Sequence, residues 1–400
     1  MIVPEGWSLT RLSKIGSILK AHGGSKADAS EGGMPCIRYG ELYTHHEMFI
    51  KKIDGYVGEE RASSYFSLKR GDVLFAGSGE THEEIGKSAT YTLNQTAVCG
   101  GDILVFRPGE GIHPEFLGYA TNSTEACRQK ARLGQGSSVI HLYAHHLAAL
   151  QLLLPPLPEQ KKIAAILSSV DETIQATRET IEQTKKVKQG LMQELLPMDE
   201  EAHGIQGKIR LLDKEAIRVT GHTPDKKHPE YWNGNVKWVS LTDSSSLDHV
   251  YISDTCKYIS NLGIANSSAT PHPPGTVILT RDAGVGKSAI LADTMAVSQH
   301  FVGWICGPLL DPLYLYYWLQ RRKRMFERIA VGSTIKTIGM PFFKKLKISL
   351  IPIERQKQIA KIINQCDIVL QNLDQVVTQL NVEKNGLMQD LLTGKVRVVV

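Results

Sequence analysis

The 400-residue chain has six cysteines, at positions 36, 99, 127, 256, 306 and 366, and no Cys-x-x-Cys among them. That scatter argues against a zinc ribbon and against a disulfide framework, and it suits a reducing cytoplasm. No stretch approaches the roughly 18 apolar residues of a membrane span, and the first dozen residues contain no apolar run of signal-peptide length. A soluble, cytoplasmic protein is expected. Charge of one sign is not in excess either: 46 Lys and Arg face 41 Asp and Glu. Any nucleic-acid surface must therefore come from local clustering rather than from the average.

Catalytic and cofactor motifs are missing as well. Gly286-Lys287-Ser288 resembles the end of a phosphate-binding loop, but such a loop needs a glycine five residues before Gly286. That position is Arg281, and in the parallel Gly86-Lys87-Ser88 it is Thr81. A DNA methyltransferase would call for Asn or Asp before Pro-Pro and an aromatic, whereas the two Pro-Pro pairs follow Leu154 and His272. The nuclease pattern fails too, because Pro224-Asp225 is followed by Lys226-Lys227-His228 without Glu-x-Lys. His45-His46 and His145-His146 lack Cys or carboxylate partners at ligand spacing. The expectation is a protein with no catalytic centre, no metal and no cofactor.

What the chain does contain is an internal repeat. Hydrophobic residues make up 42% of 400 positions, more than one core usually accommodates, which points to two or three folded domains. At an offset of 196 residues, 153–196 and 349–392 agree at 17 of 44 positions. In the first copy Ile163, Leu167, Val170, Ile174, Thr177, Ile181, Thr184, Lys188, Leu191 and Leu195 alternate spacings of four and three. In the second, Ile359, Ile363, Cys366, Leu370, Leu373, Val377, Leu380, Lys384, Leu387 and Leu391 do the same. That is the seam of a long amphipathic helix. Pro155, Pro156 and Pro158 open the first and Pro352 the second, while Pro197 and Gly394 mark the ends. Each helix should run about 40 residues, or roughly 60 Å. Two such seams are best hidden against each other. Lys185, Lys186, Lys188 and Glu182, with Glu383 and Lys384 in the second helix, read as ordinary solvated positions.

The segments before each helix also correspond. Gly71-Asp72-Val73-Leu74-Phe75 parallels Gly275-Thr276-Val277-Ile278-Leu279, and Gly136-Ser137-Ser138-Val139 parallels Gly332-Ser333-Thr334-Ile335. Short β-branched runs, many turn residues and one helix near 114–132 and 311–329 predict a mixed α/β globule in each half. The fold class is α+β: two globules and two long antiparallel helices forming a coiled coil. The expected division is 1–154 as the first globule, 155–197 as the first long helix, 198–350 as the second globule with a short linker, and 351–400 as the second long helix with a tail.

This tandem resembles the specificity subunits of type I restriction-modification systems, and the resemblance covers the whole chain. Its most specific elements are Pro155-Pro156-Leu157-Pro158-Glu159-Gln160, the counterpart Ile351-Pro352-Ile353-Glu354-Arg355-Gln356, and Gly386-Leu387-Met388-Gln389-Asp390-Leu391-Leu392. Pro4-Glu5-Gly6-Trp7 and the stretch from Gly221-His222-Thr223-Pro224 to Trp238-Val239-Ser240 look like the family's domain openings. Gly23-Gly24-Ser25-Lys26 departs from the pattern by lacking Thr-Pro. The resemblance implies that each globule reads one half of a split double-stranded DNA target and that the helices set the gap. It implies that DNA adenine methyltransferase subunits, two by the repeat, dock on the helices, and that restriction and translocase subunits join through the complex. Alternatives are the specificity subunit of a fused restriction-methylation enzyme and a duplicated coiled-coil scaffold that binds protein.

Outside the helices 36 basic residues face 30 acidic ones. Arg128, Lys130 and Arg132 cluster in the first globule, and Arg321, Arg322, Lys323, Arg324 and Arg328 in the second, followed by Lys336. Such clusters would neutralise phosphates. Base edges are addressed by Arg or Lys toward guanine and by Asn or Gln toward adenine. Loop candidates for that are Lys26, Arg38, Lys87 and Gln135 in the first globule, and Lys226, Lys227, Arg281, Lys287 and Lys336 in the second. Their unlike chemistry predicts unlike half-sites.

Overall fold

The computed structural model describes residues 3–24, 28–196 and 208–399. It divides into two units, the first formed by residues 1–177 with 376–400 and the second by residues 178–375. Each unit therefore owns one globule, the start of one long helix and the end of the other. The helices span Leu157–Leu195 and Ile353–Leu392. All twenty seam positions predicted from the heptad pattern are buried or half-buried.

The two globules share one plan. In the first unit a five-stranded sheet runs in the order Gly16–Lys20, Ile103–Pro108, Val73–Ala76, Ser88–Tyr91, Phe49–Ile50. In the second it runs Ala216–Thr220, Phe301–Cys306, Val277–Thr280, Ser288–Leu291, Tyr251–Ile252. The first three pairings are antiparallel and the last is parallel in both. The central strands are fully buried, and apolar apart from Thr280, as expected of strands covered on both faces. The helix predicted near the end of each globule is two helices instead. Pro114–Ala120 and Thr124–Leu133 are separated where Ser123 caps the second by accepting from the Ala126 amide at 3.3 Å. Pro312–Arg321 and Lys323–Ile329 break at Arg322. Five polar residues interrupt the apolar pattern at each break, but the seven-residue steps from Tyr119 to Ala126 and from Trp318 to Met325 keep helical phase, so spacing alone reads as one helix.

The start of each long helix is built into its own globule by a buried glutamine. Gln160 accepts from the His113 amide at 2.8 Å and donates to Pro155 O at 2.9 Å. Gln356 repeats this, accepting from the Asp311 amide at 2.9 Å and donating to Ile351 O at 2.8 Å and Leu309 O at 2.9 Å. Three residues further on, Ile163, Ala164 and Leu167 enter a core that holds Phe106, Phe116 and Tyr119 of the globule and also Met388, Leu391 and Leu392 from the end of the other helix. In the second unit Ile359, Ala360 and Ile363 share a core with Trp304, Tyr317 and Trp318 and with Leu195 and Leu196. Seam packing on seam and seam packing on globule are thus the same core. Within each unit the start of one helix lies against the end of the other, which makes the pair antiparallel.

Lys188 and Lys384 are not solvated as the sequence suggested. Lys384 Nζ pairs with Asp171 at 2.5 Å, and Asp171 also accepts from the Tyr119 hydroxyl at 2.7 Å. In the second unit Lys188 pairs with Asp367 at 2.5 Å and the Tyr317 hydroxyl donates to Asp367 at 2.7 Å. Each ammonium also lies over its tyrosine ring, at 5.9 Å and 5.5 Å. Lys sits on the seam because a half-buried carboxylate partner meets it there. In the first unit the N-terminal segment is clasped as well. Trp7 donates to Glu159 at 2.7 Å, and Arg397 from the tail bonds the same carboxylate at 2.8 Å.

Removing one partner of a buried ion pair leaves an uncompensated charge, which costs about 3 to 5 kcal/mol, whereas removing both is often nearly neutral. Lys384→Met should accordingly lower the stability of the first unit by about 3 kcal/mol, and Lys384→Met with Asp171→Leu should recover most of that. Denaturant unfolding of the full chain, read as a double-mutant cycle, checks this. Additive losses would mean that the pair is not coupled.

Candidate nucleic-acid interface

In each unit the central strand of the five-stranded sheet runs into a connection to the next strand of that sheet: residues 77–87 in the first, which include the two-residue strand Ser78–Gly79, and 281–287 in the second. A later Gly-Ser turn is laced onto that loop. Leu142 donates to Gly77 O at 2.9 Å and, correspondingly, Ile338 to Arg281 O at 2.9 Å. The turn itself needs glycine. Gly136 has φ +131° and a Cβ there would lie 2.0 Å from Val139 O; at Gly332 the values are +130° and 2.2 Å from Ile335 O. Side chains pin the two loops together. Ser78 Oγ and His141 Nδ1 are hydrogen-bonded at 2.8 Å in the first unit. In the second, the Thr337 hydroxyl donates to Asp282 at 2.5 Å. The position is shared and the chemistry is not.

Asp282 carries more than the pin. It is buried, its other oxygen meets His300 Nδ1 at 3.1 Å, and Arg281 Nε stands 3.5 Å away as an ion pair. His300 O accepts from the Arg281 amide at 2.9 Å, and the Thr223 hydroxyl donates to the neighbouring Gln299 side chain. The Gly221-His222-Thr223-Pro224 opening is thereby joined to the loop that holds Arg281, and Lys336 comes to the same place because its carbonyl accepts from the Ala283 amide at 3.2 Å. The structure thus brings Arg281 and Lys336 together, with Lys287 adjoining through its carbonyl, which accepts from the Thr280 amide at 2.8 Å.

The remaining predicted residues divide by environment. Arg132, Gln135, Lys226, Lys227, Arg324 and Lys336 are exposed. Arg128 is exposed but paired with Glu125 at 2.5 Å. Arg321 is half-buried. Three others are half-buried with their charged ends on carbonyls: Arg38 on Tyr56 O at 3.2 Å, Lys87 on Tyr43 O at 3.2 Å, and Lys287 on Ser244 O at 2.9 Å. Lys26 lies outside the described residues, as does Pro197.

Two expectations need correction. Lys130 is fully buried and its Nζ donates to Gly86 O at 2.7 Å, so it supports the loop from beneath. Arg322 is buried with its guanidinium stacked 3.8 Å from the Trp318 ring centroid. Neither is available to a polyanion. Lys130 looked exposed because Arg128, Lys130 and Arg132 share a basic run. A helix turns by about 100° per residue, so neighbours two apart do not share a face.

Sequence reasoning missed Asp282, His300, Ser78 and His141. Only pairing Ser78 with Asp282 and His141 with Thr337 by their places in the repeat would have found them. The family described as Type I restriction modification DNA specificity domain matches residues 4–186 and 215–381. The chain belongs to that family. This specificity protein is 25% identical over 421 residues to a Methanocaldococcus jannaschii type I restriction enzyme specificity subunit, covering 99% of this chain and 95% of that one. It is 24% identical over 203 residues to the EcoKI type I specificity subunit of Escherichia coli, covering 48% and 42%. In fold it matches a crystallised type I restriction-modification S subunit from M. genitalium with TM-score 0.62 at 14% identity, covering 98% of both chains. Among the described residues of this specificity protein no helix is long and apolar enough to cross a membrane.

Burial pushes the Lys130 ammonium of the specificity protein down to about 8. A lysine depressed by folding binds its proton more weakly than in the unfolded chain. The penalty is complete below pH 8 and vanishes as pH rises to the ordinary value of 10.5. The stability of the wild type relative to Lys130→Met should therefore be flat from pH 6 to 8 and rise by about 3 kcal/mol between pH 8 and 10.5. Urea unfolding at several pH values tests this, and a difference that never changes with pH would contradict it.

Proposed function

We propose that the chain reads a split, asymmetric DNA target for a type I restriction-modification enzyme, one half-site per unit. It has no catalytic residues in this reading; methylation and cleavage belong to partner subunits. The observation that carries it is the repeated two-loop platform, whose frame is common to both units while its tip differs. The frame is glycine turns and backbone bonds. The tip is Arg281, Asp282 and Thr337 in one unit and Gly77, Ser78 and His141 in the other. Exposed Arg132, Lys226, Lys227, Arg324 and Lys336, with paired Arg128, are the phosphate contacts of the proposal, and half-buried Arg38, Lys87 and Lys287 with Gln135 complete the set. Arg321 lies on the helix beside them.

DNA adenine methyltransferase subunits, two per chain, dock on the long helices in this proposal. Gly190 and Gly386 support it. Each sits inside a helix, where glycine costs about 1 kcal/mol relative to alanine, and a Cβ built at either meets nothing within 4 Å. Packing among the described residues therefore does not require either glycine, and close approach of a partner's backbone is the proposed reason for both. Gly190→Ala and Gly386→Ala should each stabilise the isolated chain by about 1 kcal/mol, while Gly190→Trp and Gly386→Trp should each remove one methyltransferase subunit from the assembly. Thermal melting and mass measurement of the complex check both halves. Full occupancy with both tryptophans would place the docking surface elsewhere.

The assembled methyltransferase complex should prefer one interrupted duplex over random sequence and lose affinity for all duplexes as salt rises. We further propose that helix length sets the gap. Removing residues 172–178 and 368–374 together shortens each helix by roughly 10 Å, or about three base pairs. Mapping methylated adenines in the host should then return the same two half-sites with a shorter gap. Absence of any sequence preference in the wild-type complex would sink the reader assignment.

A further inference from the structure

We propose that Arg281 reads a guanine in the half-site of the second unit and that Asp282 is the positioning residue that aims it. The inference rests on the reading of the units as DNA readers and deepens it to one base and one side chain. Arg281 is fixed through both ends of its backbone, and unlike Arg38, Lys87 and Lys287 it does not spend its charged end on a carbonyl. Its amide donates to His300 O at 2.9 Å and its carbonyl accepts from Ile338 at 2.9 Å. The loop is thereby tied to the turn that precedes strand Phe301–Cys306 on one side and to the Gly-Ser segment on the other. Its Cα has little room to move.

The side chain is set by one ion-pair contact. Arg281 is 22% exposed, and its Nε is buried and makes no hydrogen bond, facing the Asp282 carboxylate at 3.5 Å. Asp282 is itself held in place, because Thr337 and His300 each bond one of its oxygens. The terminal nitrogens of Arg281 make no hydrogen bond among the described residues. An arginine whose inner nitrogen is braced and whose outer fork is free matches a two-acceptor edge, and in the major groove guanine O6 and N7 form that edge. Phosphate contact asks for less. Exposed, long and unbraced side chains such as Lys336 and Arg324 serve it without such a cradle.

The first unit supplies a comparison. Leu142 and Ile338 bind equivalent carbonyls, which places Gly77 where Arg281 stands. There the pin is Ser78 with His141 and no guanidinium is present. A guanine contact at this position therefore belongs to one half-site only.

The test uses the intact enzyme in its host, replacing the wild-type gene and mapping methylated adenines across the chromosome. One position of one half-site should be guanine in the wild type. Arg281→Ala should accept other bases there, with discrimination falling roughly ten- to a hundredfold. Arg281→Gln should move the preference toward adenine, and Asp282→Asn should weaken discrimination at that position alone. The other half-site should stay as it was. Arg281→Lys covers the case in which the smaller side chains unfold the loop: it keeps the charge, loses the fork, and should methylate with a relaxed guanine preference. The proposal is overturned if Arg281→Lys and Arg281→Gln keep every preference, or if they lower methylation evenly at all sequences as a phosphate contact would. Sequence-independent methylation by the wild type would be a different failure, that of the reader assignment itself.

Discussion

The structure depends on an ion pair that occurs twice, largely buried in the first unit and half-buried in the second. Asp171 with Lys384 and Asp367 with Lys188 each join the start of one long helix to the end of the other, and a tyrosine from the globule donates to the same carboxylate. Apolar seams alone allow slippage by a heptad, because one leucine layer resembles the next. A buried charge does not, since a shifted register would strand a carboxylate and an ammonium without partners at a cost of several kcal/mol. The tyrosine extends the constraint to the globule. A rigid-body twist of the globule on its helix would break the hydroxyl bond, and the glutamine at each helix entry resists the same motion.

This arrangement explains why each unit is assembled from distant parts of the chain. Its core includes Ile163 or Ile359 near the start of a helix and Leu391 or Leu195 near the end of the other. Neither globule can complete its core without both helices. Such a core contains many contacts of long sequence separation, so loop-closure entropy is large and is recovered only when the whole unit forms.

The helices were the most legible part of the sequence, because a heptad seam of ten positions imposes one periodicity over some forty residues and the copies corroborate each other. The mixed α/β character of the globules was legible from short β-branched runs set between turn residues in both copies. The break at Ser123 was not, since the step from Tyr119 to Ala126 keeps helical phase across five polar residues and only a capping side chain marks the stop. Lys188 and Lys384 fell on seam positions, yet a lysine reads as solvated unless its carboxylate is known, and Asp367 and Asp171 lie 179 and 213 residues away in sequence. At the candidate interface Arg281 was visible as a loop cation. Asp282, the residue that gives it a direction, was not, because a lone aspartate after a strand has no periodicity to betray it. Lys130 misled for the complementary reason: a basic run describes sequence neighbours, whereas burial is decided by helix phase.

The two units also separate what a specificity protein must keep from what it can change. Gly136 and Gly332 are imposed by backbone geometry, and no side chain at the loop tip can relieve that requirement. The pin between the loops is required too, but a hydroxyl with an imidazole fulfils it as well as a carboxylate with a hydroxyl does. Stability is thus fixed by the frame, while the residue beside the pin is free to be glycine or arginine. A loop supported in this way can exchange its tip with little effect on the core beneath it. Recognition and folding are placed on different atoms of the same few residues, and that separation lets one duplicated fold present two different chemistries in a single chain.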